Sequence, residues 1–74
     1  MIHNEVKLST EFIKLDQLLK FSQIAESGGE AKEMVQLEMV YVNGELCTMR
    51  GKKIRPGDKI RVEFEDETVE LQVN

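Results

Sequence analysis

The dipeptide Asn43-Gly44 is the feature that most limits what this chain can become. It follows Val40-Tyr41-Val42 and precedes Glu45-Leu46-Cys47. Both residues tolerate positive φ, which the two-residue type I′ hairpin turn demands. A second marker, Arg55-Pro56-Gly57-Asp58, combines a proline that presets φ with a glycine free to take the opposite sign at the next corner. Ile60, Val62 and Phe64 then alternate inward against Lys59, Arg61, Glu63 and Glu65. After an acidic turn at Asp66-Glu67, Val69, Leu71 and Val73 alternate in the same way. The second half of the chain is therefore expected to be β structure built from hairpins.

The first half has a different period. Glu5-Val6-Lys7-Leu8 alternates as a short strand over 5–8. Leu15, Leu18, Leu19 and Ser22 follow at helical spacing, with Asp16 in the first turn, and predict a helix over 15–22. Ser27-Gly28-Gly29-Glu30 matches a capping box, a serine with glutamate three residues on. It predicts a second helix over 28–38 with Ala31, Met34 and Val35 as its apolar stripe. Phe12, Phe21 and Phe64 stand at or beside apolar-periodic positions and are expected in the core. The predicted class is α+β, with two short helices packed on a small, curled, mostly antiparallel β-sheet. With 74 residues and neither a repeat nor a dividing linker, the expectation is a single domain over 1–74.

Several kinds of chemistry have no foothold. One cysteine, Cys47, permits neither an internal disulfide nor a multi-cysteine zinc site. In a predicted strand beside Leu46 it is expected as a small buried apolar side chain. The single histidine, His3, falls in a terminus expected to fray. Gly51-Lys52-Lys53 lacks the upstream glycine and following Ser/Thr of a phosphate-binding loop, and no serine elbow, paired-histidine motif or calcium loop occurs. No catalytic residue, metal ligand or cofactor is expected. The start, Met1-Ile2-His3-Asn4-Glu5, has no basic region or apolar run of a secretory signal. No stretch approaches the ~20 apolar residues of a membrane span. A cytoplasmic, membrane-free protein is the expectation.

Charge is more informative than its sum. The net value is −4, yet six of the ten basic residues lie between positions 50 and 61: Arg50, Lys52, Lys53, Arg55, Lys59 and Arg61. Glu63, Glu65, Asp66, Glu67 and Glu70 follow at once. Such separation can build a basic face on an acidic protein. The start of the second predicted helix adds a different kind of anion site. Helix N-terminal amides are unpaired and carry partial positive charge, which suits phosphate. Gly28 and Gly29 after Ser27 leave that backbone uncovered, Lys32 adds a charge one turn on, and Lys20 on the first helix can flank the same groove.

Taken in order, Leu15-Asp16-Gln17-Leu18-Leu19-Lys20, Ser27-Gly28-Gly29-Glu30-Ala31-Lys32, Val40-Tyr41-Val42-Asn43-Gly44 and Lys53-Ile54-Arg55-Pro56-Gly57-Asp58-Lys59-Ile60 resemble the RNA-binding domain named after ribosomal small-subunit protein four. The likeness is greatest to the small stand-alone bacterial YaaA/YbcJ-like proteins and covers roughly residues 12–65. The resemblance implies the alpha-L-type RNA-binding fold and binding of structured RNA, such as ribosomal RNA, through phosphate contacts and shape. It implies an RNA face built from Lys20, Ser27, Gly28, Gly29, Lys32, Arg50, Lys52, Lys53 and Arg55. Two departures stand out. Gly28 and Gly29 occupy places where the family often has basic residues, and Glu38 stands where it usually has glycine.

The function expected from all of this is non-enzymatic recognition of structured RNA or the ribosome by a monomer. Sparse aromatic residues favour structured RNA over single strands, which are usually held by stacking. The alternative, from another class, is a protein–protein interaction adaptor that uses the acidic strands of the same fold.

Overall fold

A computed structural model describes residues 2–74. The elements run β1 (Ile2–Val6), β2 (Ile13–Lys14), α1 (Leu15–Phe21), α2 (Gly28–Gln36), β3 (Val40–Val42), β4 (Glu45–Leu46), β5 (Lys53–Ile54), β6 (Lys59–Glu63) and β7 (Thr68–Val73). The main sheet has the order β1-β7-β6-β3-β4, and β2 pairs with β5 in a separate ribbon. Every pairing is antiparallel except that of β1 with β7. The predicted α+β architecture is thus present.

The two periods read from the sequence explain the packing. Val40, Val42, Ile60, Val62, Leu71 and Val73 point to one face of the sheet, and Leu15, Leu18, Leu19, Ala31, Met34 and Val35 meet them from the helices in one buried cluster. No polar or charged residue is buried among the described residues. The core is all apolar, as a small domain with a thin interior requires.

Asn43 and Gly44 take φ of 53° and 85°, and Gly57 takes 101°, so both predicted turns have the expected signs. The two turns are also locked to each other. Asn43 Nδ2 donates to Asp58 Oδ1 at 3.0 Å, and Asn43 Oδ1 accepts from the Lys59 amide at 2.9 Å. Asp58 Oδ2 accepts from the Arg55 amide at 2.9 Å and so closes its own turn. One asparagine and one aspartate thereby fix the register of β3 against β6.

Both helices end in the same way, on a left-handed residue that is not glycine. Gln23 has φ 64° after α1 and Glu38 has φ 61° after α2. Each helix closes with the paired bonds of a Schellman motif: Ile24 to Leu19 and Gln23 to Lys20, then Met39 to Met34 and Glu38 to Val35. A side chain at this position strains the backbone by roughly 1–2 kcal/mol, part of which glycine gives back through unfolded-chain entropy. Glu38→Gly is therefore expected to raise stability by about 0.5–1 kcal/mol, a gain of a few degrees in Tm. A melting temperature at or below that of the parent would contradict this.

Some expectations need correction. The first strand lies at Ile2–Val6, earlier than 5–8, because its register is set by parallel pairing with β7 that local alternation does not report. His3 is consequently held in a strand opposite Glu70, with Nδ1 3.1 Å from Oε1, and does not sit in a frayed end. The second helix stops at Gln36 with Leu37 as its C-cap, two residues short of the predicted end. Cys47 is buried as expected but follows β4, where its amide donates to the Val40 carbonyl. Phe21 is the clearest departure: it is 68% exposed, because Leu15, Leu18 and Leu19 define the buried stripe of α1 and Phe21 falls outside it. Phe12 and Phe64 are half-buried, Phe64 against the core.

Candidate nucleic-acid interface

Lys53 and Ile54 form β5 and pair with β2. Ile54 is fully buried and anchors the ribbon. Lys14 lies directly opposite Lys53 in the register. Like charges directly opposite each other destabilise an antiparallel pair. Here Lys53 turns over the ring of Phe12, with Nζ 4.9 Å from its centroid. That contact offsets part of the repulsion.

The chain before β5 is tied to α1 by its backbone. Lys14 caps α1 without any side-chain bond, and the first amides of the helix go instead to the neighbouring loop. The amide of Leu15 donates to the Lys52 carbonyl and that of Asp16 to the Arg50 carbonyl, both at 2.9 Å. A helix start leaves several amides to satisfy. These two carbonyls satisfy a pair of them and hold the loop in place. The exposed side chain of Arg50 and the half-buried one of Lys52 are thus carried on a fixed support.

Arg55 follows β5 at the turn governed by Asp58. Burial raises the Asp58 carboxyl pKa, but the Arg55 amide, the Asn43 side chain and the charges of Lys52 and Arg55 together outweigh it and hold that group below its ordinary value of 3.8. Lys52 and Arg55 therefore lie within electrostatic reach of one carboxylate. Lys14, Arg50, Lys52, Lys53 and Arg55 gather around the β2–β5 ribbon, with Asp16 and Asp58 as the carboxylates already engaged by backbone or turn contacts.

The other expected residues form a second group at the far end of α1. Lys20 lies in the last turn of that helix and borders a shallow recess with Gln23, Ala25 and Glu26. Ser27 caps α2, its hydroxyl accepting from the Glu30 amide at 3.2 Å and its carbonyl from the Ala31 amide at 3.0 Å. Gly28 and Gly29 are exposed and open: a side chain at Gly28 would meet nothing, and one at Gly29 only the Ser27 hydroxyl, 3.8 Å away. Lys32 is exposed on the same outer side of α2, away from the buried Ala31, Met34 and Val35. Glu26, Glu30 and Glu33 surround this group, so its local charge is not positive. The structure brings the expected residues together as two groups of unlike charge, and the ribbon is the basic one.

Lys14 escapes a reading of the sequence because two-residue strands leave no periodic trace. Its only signal is the matched pairs Ile13-Lys14 and Lys53-Ile54 on either side of the helices. Arg61 belongs elsewhere: its Nε lies 3.2 Å from Glu63 Oε2, and its guanidinium stacks on Tyr41 at 4.6 Å, while Lys59 is exposed at the start of β6. Among the described residues no three potential metal ligands cluster, and no helix is long and apolar enough to cross a membrane.

A sheet with a helix pair on one face, a paired Asn-Gly and Pro-Gly-Asp turn, and a basic ribbon beside the first helix define a recognisable class. The chain belongs to the S4 domain family, whose model matches residues 6–72. It is similar to the probable ribosome maturation protein RlbA of Bacillus subtilis (strain 168), at 38% identity over 60 residues that cover 81% of this chain and 84% of that one. The family resemblance drawn from the sequence motifs is thereby borne out.

Proposed function

We propose that this protein binds structured RNA, with ribosomal RNA or the assembling ribosome as its target, and that the β2–β5 ribbon makes the principal contact. The observation that carries this reading is the concentration of Lys14, Arg50, Lys52, Lys53 and Arg55 on a support fixed by the α1 amides and the Asp58 turn. Cations carried on a fixed backbone suit a phosphate chain, since little loop freedom is left to lose on binding. Membership of the S4 domain family and likeness to a probable ribosome maturation protein support the same reading. The exposed amides at Gly28 and Gly29, with Lys32 and Lys20, form a weaker second contact.

Titration of a folded RNA hairpin across a series of salt concentrations tests it. With four or five phosphates neutralised, log affinity should fall against log salt with a slope of roughly −3 to −4. Replacing Lys52, Lys53 and Arg55 by alanine should weaken binding and flatten that slope by about two to three, while the fold survives because none of the three is buried and surface charges contribute little to stability. If the protein were instead an adaptor working through its acidic side, alanine at Glu65, Asp66 and Glu67 would abolish partner capture and the basic triple variant would be silent.

The helix start has its own test. Neither Gly28 nor Gly29 has positive φ, so Gly29→Asp fits the backbone. An acid in the first turn favours the helix dipole by about 0.3–1 kcal/mol. Stability should hold or rise. RNA affinity should drop if phosphate uses those amides; equal affinity of parent and folded variant would reduce Ser27 and its glycines to capping.

A further inference from the structure

Phe21 is the largest apolar side chain left in water by this fold, and nothing in the packing accounts for it. It stands 68% exposed on the last turn of α1, at the rim of an open groove of about 350 Å³. Leu8 and Ile13, packed against the core, and Phe12 give that groove an apolar lining. Gln17, one turn before Phe21 on the same side of α1, also lines it. Lys7 also lines it, and Lys53 of the basic ribbon sits over the ring of Phe12. Among the described residues no carboxylate lines the groove. It therefore borders the proposed RNA contact, through Phe12 and Lys53, and includes a bare aromatic face.

We propose that this groove takes one unpaired base of the bound RNA, stacked on Phe21, an inference that rests on the RNA-binding reading above. An aromatic face stacks any base, and Lys7 in the groove with Lys53 over the Phe12 ring supplies cations for the phosphates that flank a base turned out of a helix. The Gln17 amide supplies both a donor and an acceptor for the base edge. Structured RNA commonly presents such bases in bulges and loops. A second copy of this chain does not fit the groove as well. The apolar area is about one ring wide, far below the ~1,000 Å² a stable interface needs, and a symmetric contact at Phe21 would bring two copies of Lys7 together.

Two short RNA hairpins with the same stem separate the possibilities, one fully paired and one with a single bulged 2-aminopurine inserted, each end-labelled for anisotropy. The protein should bind the bulged hairpin at least about fivefold more tightly than the paired one and change the 2-aminopurine fluorescence on binding. Phe21→Ala should remove that preference and the fluorescence change, leaving affinity for the paired hairpin as it was. Phe21→Trp should keep both. An exposed side chain can be truncated with little effect on folding, so loss of the preference reports the interface. Equal affinity of the parent for both hairpins, or a Phe21→Ala variant that keeps the preference or weakens both hairpins alike, overturns the base pocket and leaves the RNA reading standing. Failure of the parent to bind either hairpin overturns both.

Discussion

Leu18→Ala is expected to cost about 3–5 kcal/mol and to leave the protein at the edge of unfolding. Leu18 is fully buried where α1 meets α2 and the sheet. Removing its isobutyl group takes away apolar burial and leaves a cavity. The total available is small. Native domains hold only about 0.1 kcal/mol of stability per residue, so a chain this short has on the order of 7 kcal/mol in all. A helix as short as α1 cannot hold itself, so its stability comes from packing. Leu15, Leu18 and Leu19 supply that packing. The contrast is Leu37, which stands 62% exposed just beyond α2. Denaturant unfolding should show the midpoint of Leu18→Ala collapse, while Leu37→Ala stays within about 0.5 kcal/mol of the parent. Similar midpoints for the two variants would mean that α1 does not pack as described.

The parts of this fold that are legible in the sequence are those with a local cause. The helix pair follows from 3.6-residue periodicity and the Ser27 cap, β6 and β7 from strict alternation, and the two turns from residues suited to positive φ. What escapes has non-local causes. β1 is placed by parallel pairing with a strand more than sixty positions away, and β2 and β5 exist only because Ile13 and Ile54 meet. Two residues cannot show a period. Phe21 misleads for a related reason: periodicity says which residues are apolar, but the width of the buried stripe is set by what the helix packs against. The basic residues of the ribbon can be named from the sequence, yet Lys14 and the fixed support cannot, because backbone bonds from Leu15 and Asp16 to residues 52 and 50 leave no mark on composition.

The Asp58 clamp gives the second large effect, and its dependence on pH has a definite sign. Asp58→Ala removes both the bond that closes the Arg55–Asp58 turn and the bond to Asn43 that ties the two turns together. Hydrogen bonds to a charged group are worth roughly 1.5–3 kcal/mol each when well shielded. This carboxylate is only partly buried, so the pair together should cost about 2–3 kcal/mol. Its pKa in the folded protein lies below the ordinary 3.8, so the unfolded chain takes up the proton more readily than the folded one. The stabilisation is complete at neutral pH and is lost as pH falls through the lowered folded value, in the acid range below about 4. Thermal unfolding of the parent followed from neutral pH into acid should therefore fall in that window. Asp58→Asn, which keeps the shape but has one acceptor oxygen and no titrating group, should start lower at neutral pH and lose less on acidification. Parallel pH profiles for the two proteins would show that the lock between the turns does not depend on the charge of Asp58.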